Sequence, residues 1–216
     1  EFDRMRKRIT IHLNQRSEML SGISHDLRTP LTRLKLQLAL LKQQDLAKKM
    51  SDDIEEMEKM LNEYLEFSRY QKNEETEMVN LDSTIKDVIE KYDNKQINTF
   101  VENNLKINIR PNSIKRCLVN LIDNGFSYGE KVEVSAKKIA NNIIIFIDDN
   151  GPGIPEKEYQ NVIKPFYRID KSRGQNKSGV GLGLSIANDI IRSHGGNILL
   201  EKSPLSGLRV KISLPL

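Results

Sequence analysis

Ile143-Ile144-Ile145-Phe146-Ile147-Asp148-Asp149-Asn150-Gly151-Pro152-Gly153 is the stretch that decides the fold. Five apolar residues run unbroken and stop at a cluster of turn formers, which reads as a strand delivering two carboxylates into a tight loop. This is the longest purely apolar run in the chain, far short of the roughly 20 residues that cross a bilayer. Working outward, strands are predicted at 97–101, 105–109, 131–138, 143–148, 197–202 and 208–214. Helices are predicted at 81–92, 113–128, 155–163 and 182–193. Asn141-Asn142 reads as a hairpin turn and Gly195-Gly196 as a helix stop. The expectation is an α/β sandwich with a largely antiparallel sheet. The aperiodic, glycine- and lysine-bearing stretch between Pro165 and Gly183 reads as a lid or a disordered segment.

The first seventy residues follow a different grammar, with one proline, Pro30, and one glycine, Gly22. Apolar residues recur at Ile9, Leu13, Leu20, Ile23, Leu27, Leu31, Leu34, Leu38 and Leu41, then at Met50, Ile54, Met57, Leu61 and Tyr64. Steps of three, four and seven make a helical seam, with a kink expected at Pro30. A short link near residues 42–45 folds the two helices into an antiparallel hairpin. Two helices bury too little surface alone, so a second copy completing a four-helix bundle is expected. The polar stretch 71–80 reads as a hinge, dividing a helical unit at 13–70 from the α/β unit at 81–216.

The chain has 216 residues, 34 basic against 30 acidic, for a net charge of +4. Basic residues are dispersed and tryptophan is absent, so nucleic acid is not an expected partner. The single cysteine, Cys117, excludes an internal disulfide framework and any cysteine-cluster metal site. A reducing, cytoplasmic setting is the expectation.

Four motifs carry chemistry. In Ser24-His25-Asp26-Leu27-Arg28-Thr29-Pro30-Leu31, His25 lies off the apolar seam. A free imidazole changes charge near neutral pH, so a solvent-facing histidine is a candidate nucleophile. Asp26 accepts one ring N–H and leaves the other nitrogen's lone pair to attack, while Thr29, one turn on, offers a hydroxyl to orient a water. A surface histidine on a charged helix accounts for the same residues, and is the reading kept for His12 and His194. Asn120 and Asn124, four apart, place two amides on one helix face, neutral hard ligands suited to Mg²⁺ and phosphate; two surface amides are the plain alternative. In Asp149-Asn150-Gly151-Pro152-Gly153 the glycines allow close backbone approach and a buried carboxylate accepts an exocyclic amine, favouring adenine over guanine. A tight turn explains the same pattern. Gly179-Val-Gly181-Leu-Gly183-Leu184-Ser185 opens a helix whose amides suit phosphate, although a glycine triplet alone is weak and neither GxGxxG nor GxxxxGK[ST] is present.

Taken together and in this order, the motifs resemble those of the cytoplasmic core of two-component sensor histidine kinases, of the osmosensor EnvZ type, over all 216 residues. The phosphoacceptor box is His25 to Leu31 and the asparagine box Asn120 to Tyr128. The first glycine box is Asp149 to Gly153, the phenylalanine box Pro165-Phe166-Tyr167-Arg168, and the second glycine box Gly179 to Leu184. Residues 1–12 resemble the end of a HAMP signalling helix. The resemblance implies a multidomain α and α+β chain: a dimerising helical hairpin, then an α/β-sandwich ATP-binding domain. It implies ATP and Mg²⁺ as cofactors, with Asn120 and Asn124 at the metal. Tyr128, Asp149, Gly151, Gly153, Arg168, Lys177, Gly179, Gly181, Leu182, Gly183 and Leu184 are implied at the nucleotide, and His25, Asp26, Arg28 and Thr29 at the reaction. It implies a homodimer, phosphotransfer to an aspartate of an OmpR-like receiver domain, phosphatase activity assisted by Thr29, and the cytoplasmic portion of an inner-membrane sensor. Two residues depart from the family pattern: Ser127 stands where a basic residue is usual, and Lys164 where an acidic one is common. The related gyrase- and Hsp90-type ATPases carry a glutamate base at the position of Asn120, and an amide cannot take a proton from water. A degenerate kinase acting as scaffold or phosphatase is the remaining alternative.

Overall fold

The computed structural model describes residues 27, 30–38, 46–48, 50–55, 57–58, 61, 74–169 and 181–216. The chain divides into two compact units, Glu1–Asn73 and Glu74–Leu216.

In the first unit all the described residues are helical. Leu31, Leu38 and Ile54 form a buried cluster with Leu61 packed against it, and Lys35 Nζ meets Glu58 Oε2 at 2.7 Å. Contacts across so short a link require the chain to fold back, which agrees with the expected hairpin. Leu27 and Leu34, and likewise Met50 and Met57, repeat at seven residues yet remain 41–51% exposed. A second apolar face is therefore left open on the single chain.

The second unit opens with β1 (Glu77–Asn80) and α1 (Leu81–Ile89), followed by β2 (Gln96–Val101) and β3 (Lys106–Ile109). Next come α2 (Pro111–Tyr128), β4 (Lys131–Ile139), β5 (Asn142–Asp149) and the short α3 (Tyr159–Val162). α4 (Gly183–Ser193), β6 (Asn197–Lys202) and β7 (Leu208–Pro215) complete it. Five strands form one sheet in the order β2-β4-β5-β7-β6, and β1 pairs with β3 in a separate two-stranded sheet. All pairs in the larger sheet are antiparallel except β2 with β4.

Alternation in β4 puts Val132, Val134 and Ala136 on the buried face, where they meet Leu118, Leu121 and Ile122 of α2 and Ala187 and Ile191 of α4. These helices present apolar residues at i, i+3 and i+4 to the sheet. β5 is buried at Ile143, Ile144, Ile145 and Ile147, as the apolar run predicts.

Three local readings need correction. The expected hinge at 71–80 ends sooner, because Glu77–Asn80 pairs with Lys106–Ile109 and the Asn80 side chain caps α1 by accepting from Asp82 N at 3.2 Å. Glu74 also belongs to this unit. Its carboxylate accepts from the N–H groups of Asn112 and Ser113 at 2.5 and 3.0 Å, supplying the anionic cap that α2 lacks at Arg110. The hairpin turn centres on Ala140-Asn141, since Ile139 pairs with Asn142 and Ala140 takes a φ of 52°. The helix expected at 155–163 is a 3₁₀ turn at Glu156–Glu158 followed by α3.

Asn80→Ala removes the α1 cap, and chemical denaturation should record a loss of about 1 kcal/mol. No change would place Asn80 outside the folded unit.

Candidate functional site

Asp149 ends β5 opposite Val132, on the buried face of the sheet, and is 7% exposed. Its Oδ1 accepts two backbone N–H groups, Gly151 at 2.8 Å and Leu208 at 3.1 Å. Among the described residues Oδ2 has no hydrogen-bond partner. Burial pushes the carboxyl above the usual aspartate range, the two backbone donors pull it back in part, and the neighbouring Asp148 charge pushes it up again. Asp148 faces the other side of the sheet, where Arg209 holds both its oxygens at 2.8 and 2.9 Å and stacks over Phe146. Adjacent carboxylates thus have opposite fates, one neutralised by a guanidinium and the other left to meet a donor from outside.

α2 roofs this position. A Cβ on Gly125 would lie 2.8 Å from Val132 Cγ2 and 3.5 Å from Asp149 Cβ, so the missing side chain lets the helix approach the sheet beside the carboxylate. The Tyr128 carbonyl packs on Gly151, where a Cβ would come within 2.9 Å; the Tyr128 side chain itself is exposed. Asn150 Oδ1 accepts from both Glu130 and Lys131 N–H at 2.9 Å, tying the loop after β5 to the segment after α2. Ser127 Oγ donates back to Asp123 O at 2.7 Å, and Lys164 Nζ donates to Asn161 Oδ1 at 2.8 Å.

Two turns back along α2, about 12 Å from Tyr128, Asn120 adjoins Gly183 at the start of α4: a Cβ on Gly183 would sit 3.8 Å from Asn120 Cβ. Asn120 Nδ2 is buried and has no hydrogen-bond partner among the described residues. A buried orphan amide beside a helix start is suited to a ligand-borne acceptor. A phosphate oxygen satisfies it as drawn; with the amide turned over, its oxygen suits a hydrated cation. Asn124, half-buried on the same helix face, adds a second neutral oxygen. These residues fit Mg²⁺ held jointly with phosphates.

The α4 N-terminus receives no side-chain cap, so its first N–H groups are suited to an anion. Gly181 at φ +78° accepts the Phe166 N–H at 3.0 Å, and a Cβ there would come within 3.4 Å of Arg168 Cγ, which brings the phenylalanine box alongside the second glycine box. Leu182 and Leu184 are buried, at 2% and 8%, so their side chains anchor the helix start in the core. Gly153 takes a φ of +71°.

The structure thus packs Tyr128 and Asp149 on Gly151, Asn120 against Gly183, and Arg168 against Gly181, with Gly153 on Gly207 and Asn124 one turn from Asn120. Lys177 and Gly179, and His25, Asp26, Arg28 and Thr29, lie outside the described residues. His194 keeps its plain role: Nδ1–H donates to Ile190 O at 2.7 Å and Nε2 accepts Arg110 N–H at 3.1 Å, with burial holding its pKa down. Sequence reasoning missed Asn150, Gly125 as a packing glycine, and the Gly207-Leu208 backbone that grips Asp149. Gly125 stood inside the asparagine box with no partner to indicate its use, and nothing in the local pattern marked Gly207.

The family model described as a His Kinase A (phospho-acceptor) domain matches residues 15–73, and the model described as a histidine kinase-, DNA gyrase B- and HSP90-like ATPase matches residues 109–216. Sensor histidine kinase GtrS of Pseudomonas aeruginosa is 35% identical over 216 residues, covering 99% of this chain and 45% of the relative. Sensor histidine kinase CpxA of Escherichia coli is 32% identical over 249 residues, covering 100% and 50%. The chain therefore spans about half the length of these relatives. Among solved structures, full-length ShkA in complex with AMPPNP aligns with a TM-score of 0.71 at 20% identity, over 92% of this chain and 45% of that one. The histidine kinase AdeS of Acinetobacter baumannii aligns with a TM-score of 0.62 at 24% identity, over 88% and 97%. At these identities the structural likeness concerns the fold.

The Asp149 carboxyl pKa is raised by folding, so its ionised form opposes folding above that pKa, and the opposition fades as pH falls through it. Asp149→Asn keeps an Oδ1 acceptor for Gly151 and Leu208. Without nucleotide, the variant should melt at or above the wild-type temperature at pH 7, with the gain shrinking in acid. A gain that grows in acid would contradict the burial argument.

Proposed function

The chain belongs to the histidine kinase-, DNA gyrase B- and HSP90-like ATPases, and we propose that it phosphorylates its own His25 from ATP and passes the group to an aspartate of a response regulator. A His kinase A segment precedes the ATPase fold in the same chain. The observation that carries the reading is the two-ended site. A buried carboxylate with one unclaimed oxygen lies by the last turn of α2, and an orphan amide beside an uncapped helix start lies about two turns back, midway along it.

The base is read at the Asp149 end, where Oδ2 accepts the adenine amine. The phosphates lie at the Asn120 end, against the amides of the α4 start. Asn120 and Asn124 are the residues that would hold Mg²⁺, which supplies positive charge to the phosphate oxygens. At the acceptor, an unprotonated ring nitrogen of His25 attacks the γ-phosphorus, an N–P bond forms, the bond to the β,γ-bridging oxygen breaks, and ADP leaves with that electron pair. Asp26 accepts the N–H of the other ring nitrogen, which fixes the tautomer and stabilises the positive charge that develops on the ring. In the phosphatase reaction Thr29, with Arg28 beside it, positions a water that attacks the regulator's aspartyl phosphate, so that the aspartate carboxylate leaves and inorganic phosphate is released.

The open seam of Leu27, Leu34, Met50 and Met57 supports a second copy of this chain as partner, closing a four-helix bundle. A receiver domain, OmpR-like in type, is the proposed phosphoryl acceptor, and the complete protein is proposed to be an inner-membrane sensor with this core in the cytoplasm. No helix among the described residues is long and apolar enough to cross a membrane. Rapid ATP hydrolysis is disfavoured, because the amide of Asn120 cannot act as the base.

Incubation with γ-labelled ATP and Mg²⁺ should give a label that acid removes and alkali spares. His25→Gln should abolish it while nucleotide still binds; persistent labelling of that variant would move the acceptor elsewhere. Thr29→Ala should leave labelling intact and slow loss of phosphate from the phospho-regulator by about 10²-fold. Equal decline of both rates would make Thr29 structural.

A further inference from the structure

β6 and β7 are joined by the turn at residues 203–207, which no motif in the sequence marked. The turn is closed on itself: Ser203 N–H donates to Gly207 O at 2.9 Å, and Ser206 N–H to Ser203 O at 3.0 Å. Ser203 Oγ, on a residue only 4% exposed, accepts Leu205 N–H at 3.0 Å. Ser206 is held at a φ of +83°, a conformation that a non-glycine residue adopts only under local constraint. From this closed turn two consecutive amides reach Asp149: Gly207 N–H donates to its main-chain oxygen at 3.2 Å, and Leu208 N–H to its Oδ1 at 3.1 Å.

Gly207 is not among the residues with positive φ, so its conformation does not demand glycine. The space does. A Cβ there would fall on Asp149 Oδ1, and would lie 2.5 Å from Asp149 O and 2.6 Å from Gly151 N. Two of the three are main-chain atoms, and the third is the carboxylate oxygen held by Gly151 and Leu208, so a side chain at 207 enters only by displacing them.

We propose that Gly207 and the Leu208 amide are positioning residues that determine purine specificity: they fix the Asp149 carboxylate so that Oδ1 is used up internally and Oδ2 is kept for the 6-amino group. This rests on the assignment of Asp149 to adenine. With Oδ1 gripped by two N–H donors, Leu208 from the β6–β7 turn and Gly151 from the loop after β5, the carboxylate cannot rotate to offer either oxygen indifferently. A 6-amino group donates to the remaining oxygen, whereas a 6-oxo group brings acceptor to acceptor and is rejected. Crowding at 207 displaces the carboxylate and the Gly151 amide together, so discrimination falls while the phosphate end stays intact.

The test uses the full chain and compares binding of ATP with that of purine riboside triphosphate, which lacks only the amine. Variants are Gly207→Ala, Asp149→Asn, and a chain in which Leu208 is replaced by its α-hydroxy acid, which deletes one N–H without adding an atom. The wild type should prefer ATP. Gly207→Ala and the ester should each cut that preference about tenfold or more, with affinity for the amine-free analogue nearly unchanged. A merely structural role would lower both affinities alike and leave the preference intact, which would overturn the proposal. If Asp149→Asn erases the preference but neither turn variant touches it, the turn assignment falls and the adenine assignment stands. If the wild type shows no preference, both fall. Should Gly207→Ala fail to fold by circular dichroism, the ester variant decides.

Discussion

Taking the carboxylate of Asp149 out of water is the constraint on which the rest of the second unit depends. A buried carboxylate is costly unless hydrogen bonds satisfy it, and here two main-chain N–H groups do so at one oxygen only. Supplying them requires two loops to converge on the end of one strand. That convergence leaves no room for side chains at Gly151 or Gly207, so two glycines far apart in sequence serve a single carboxylate. What remains is one acceptor of raised basicity in a low-dielectric setting, where a donor on a ligand counts for more than it would in water.

α2 carries this arrangement to the other end of the site. Its buried residues fasten it to the sheet, and its middle and its last turn face different chemistry. The last turn lies over the loop after β5, and Asn120, two turns earlier, lies against the start of α4. A rigid helix of fixed rise therefore sets the spacing between the base end and the phosphate end. The anionic cap from Glu74 steadies the first turn of the same helix, so the segment entering the unit is bonded to the element that spans the site.

Much of this was legible in the sequence, for reasons that differ by element. The apolar run at 143–147 and the strand at 197–202 are governed by local pattern and stand where expected. β1 was missed because four residues in a polar context carry no strand signal of their own; its partner, β3, lies nearly thirty residues on. The hairpin turn slipped by one residue because Asn141-Asn142 looks like the better turn former, yet register against β5 puts the positive φ on Ala140. Asp149 was visible because its motif follows the strand directly. Gly207 was invisible because its role is a contact with a residue 58 positions earlier in the chain, which no local spacing encodes. The roles in the histidine box were read from sequence, and its His25, Asp26, Arg28 and Thr29 lie outside the described residues.

The central claim is a two-ended site with its base end at Asp149 and its phosphate end at Asn120. Amide-resolved NMR of the chain, titrated separately with adenosine and with Mg²⁺-tripolyphosphate, tests it most directly. The account predicts that adenosine moves the Gly151 and Leu208 backbone N–H signals and leaves the Asn120 side-chain amide in place. Tripolyphosphate should move the Asn120 amide and the Gly183 N–H and spare the other pair. The reverse assignment, or one set of signals responding alike to both probes, would contradict it.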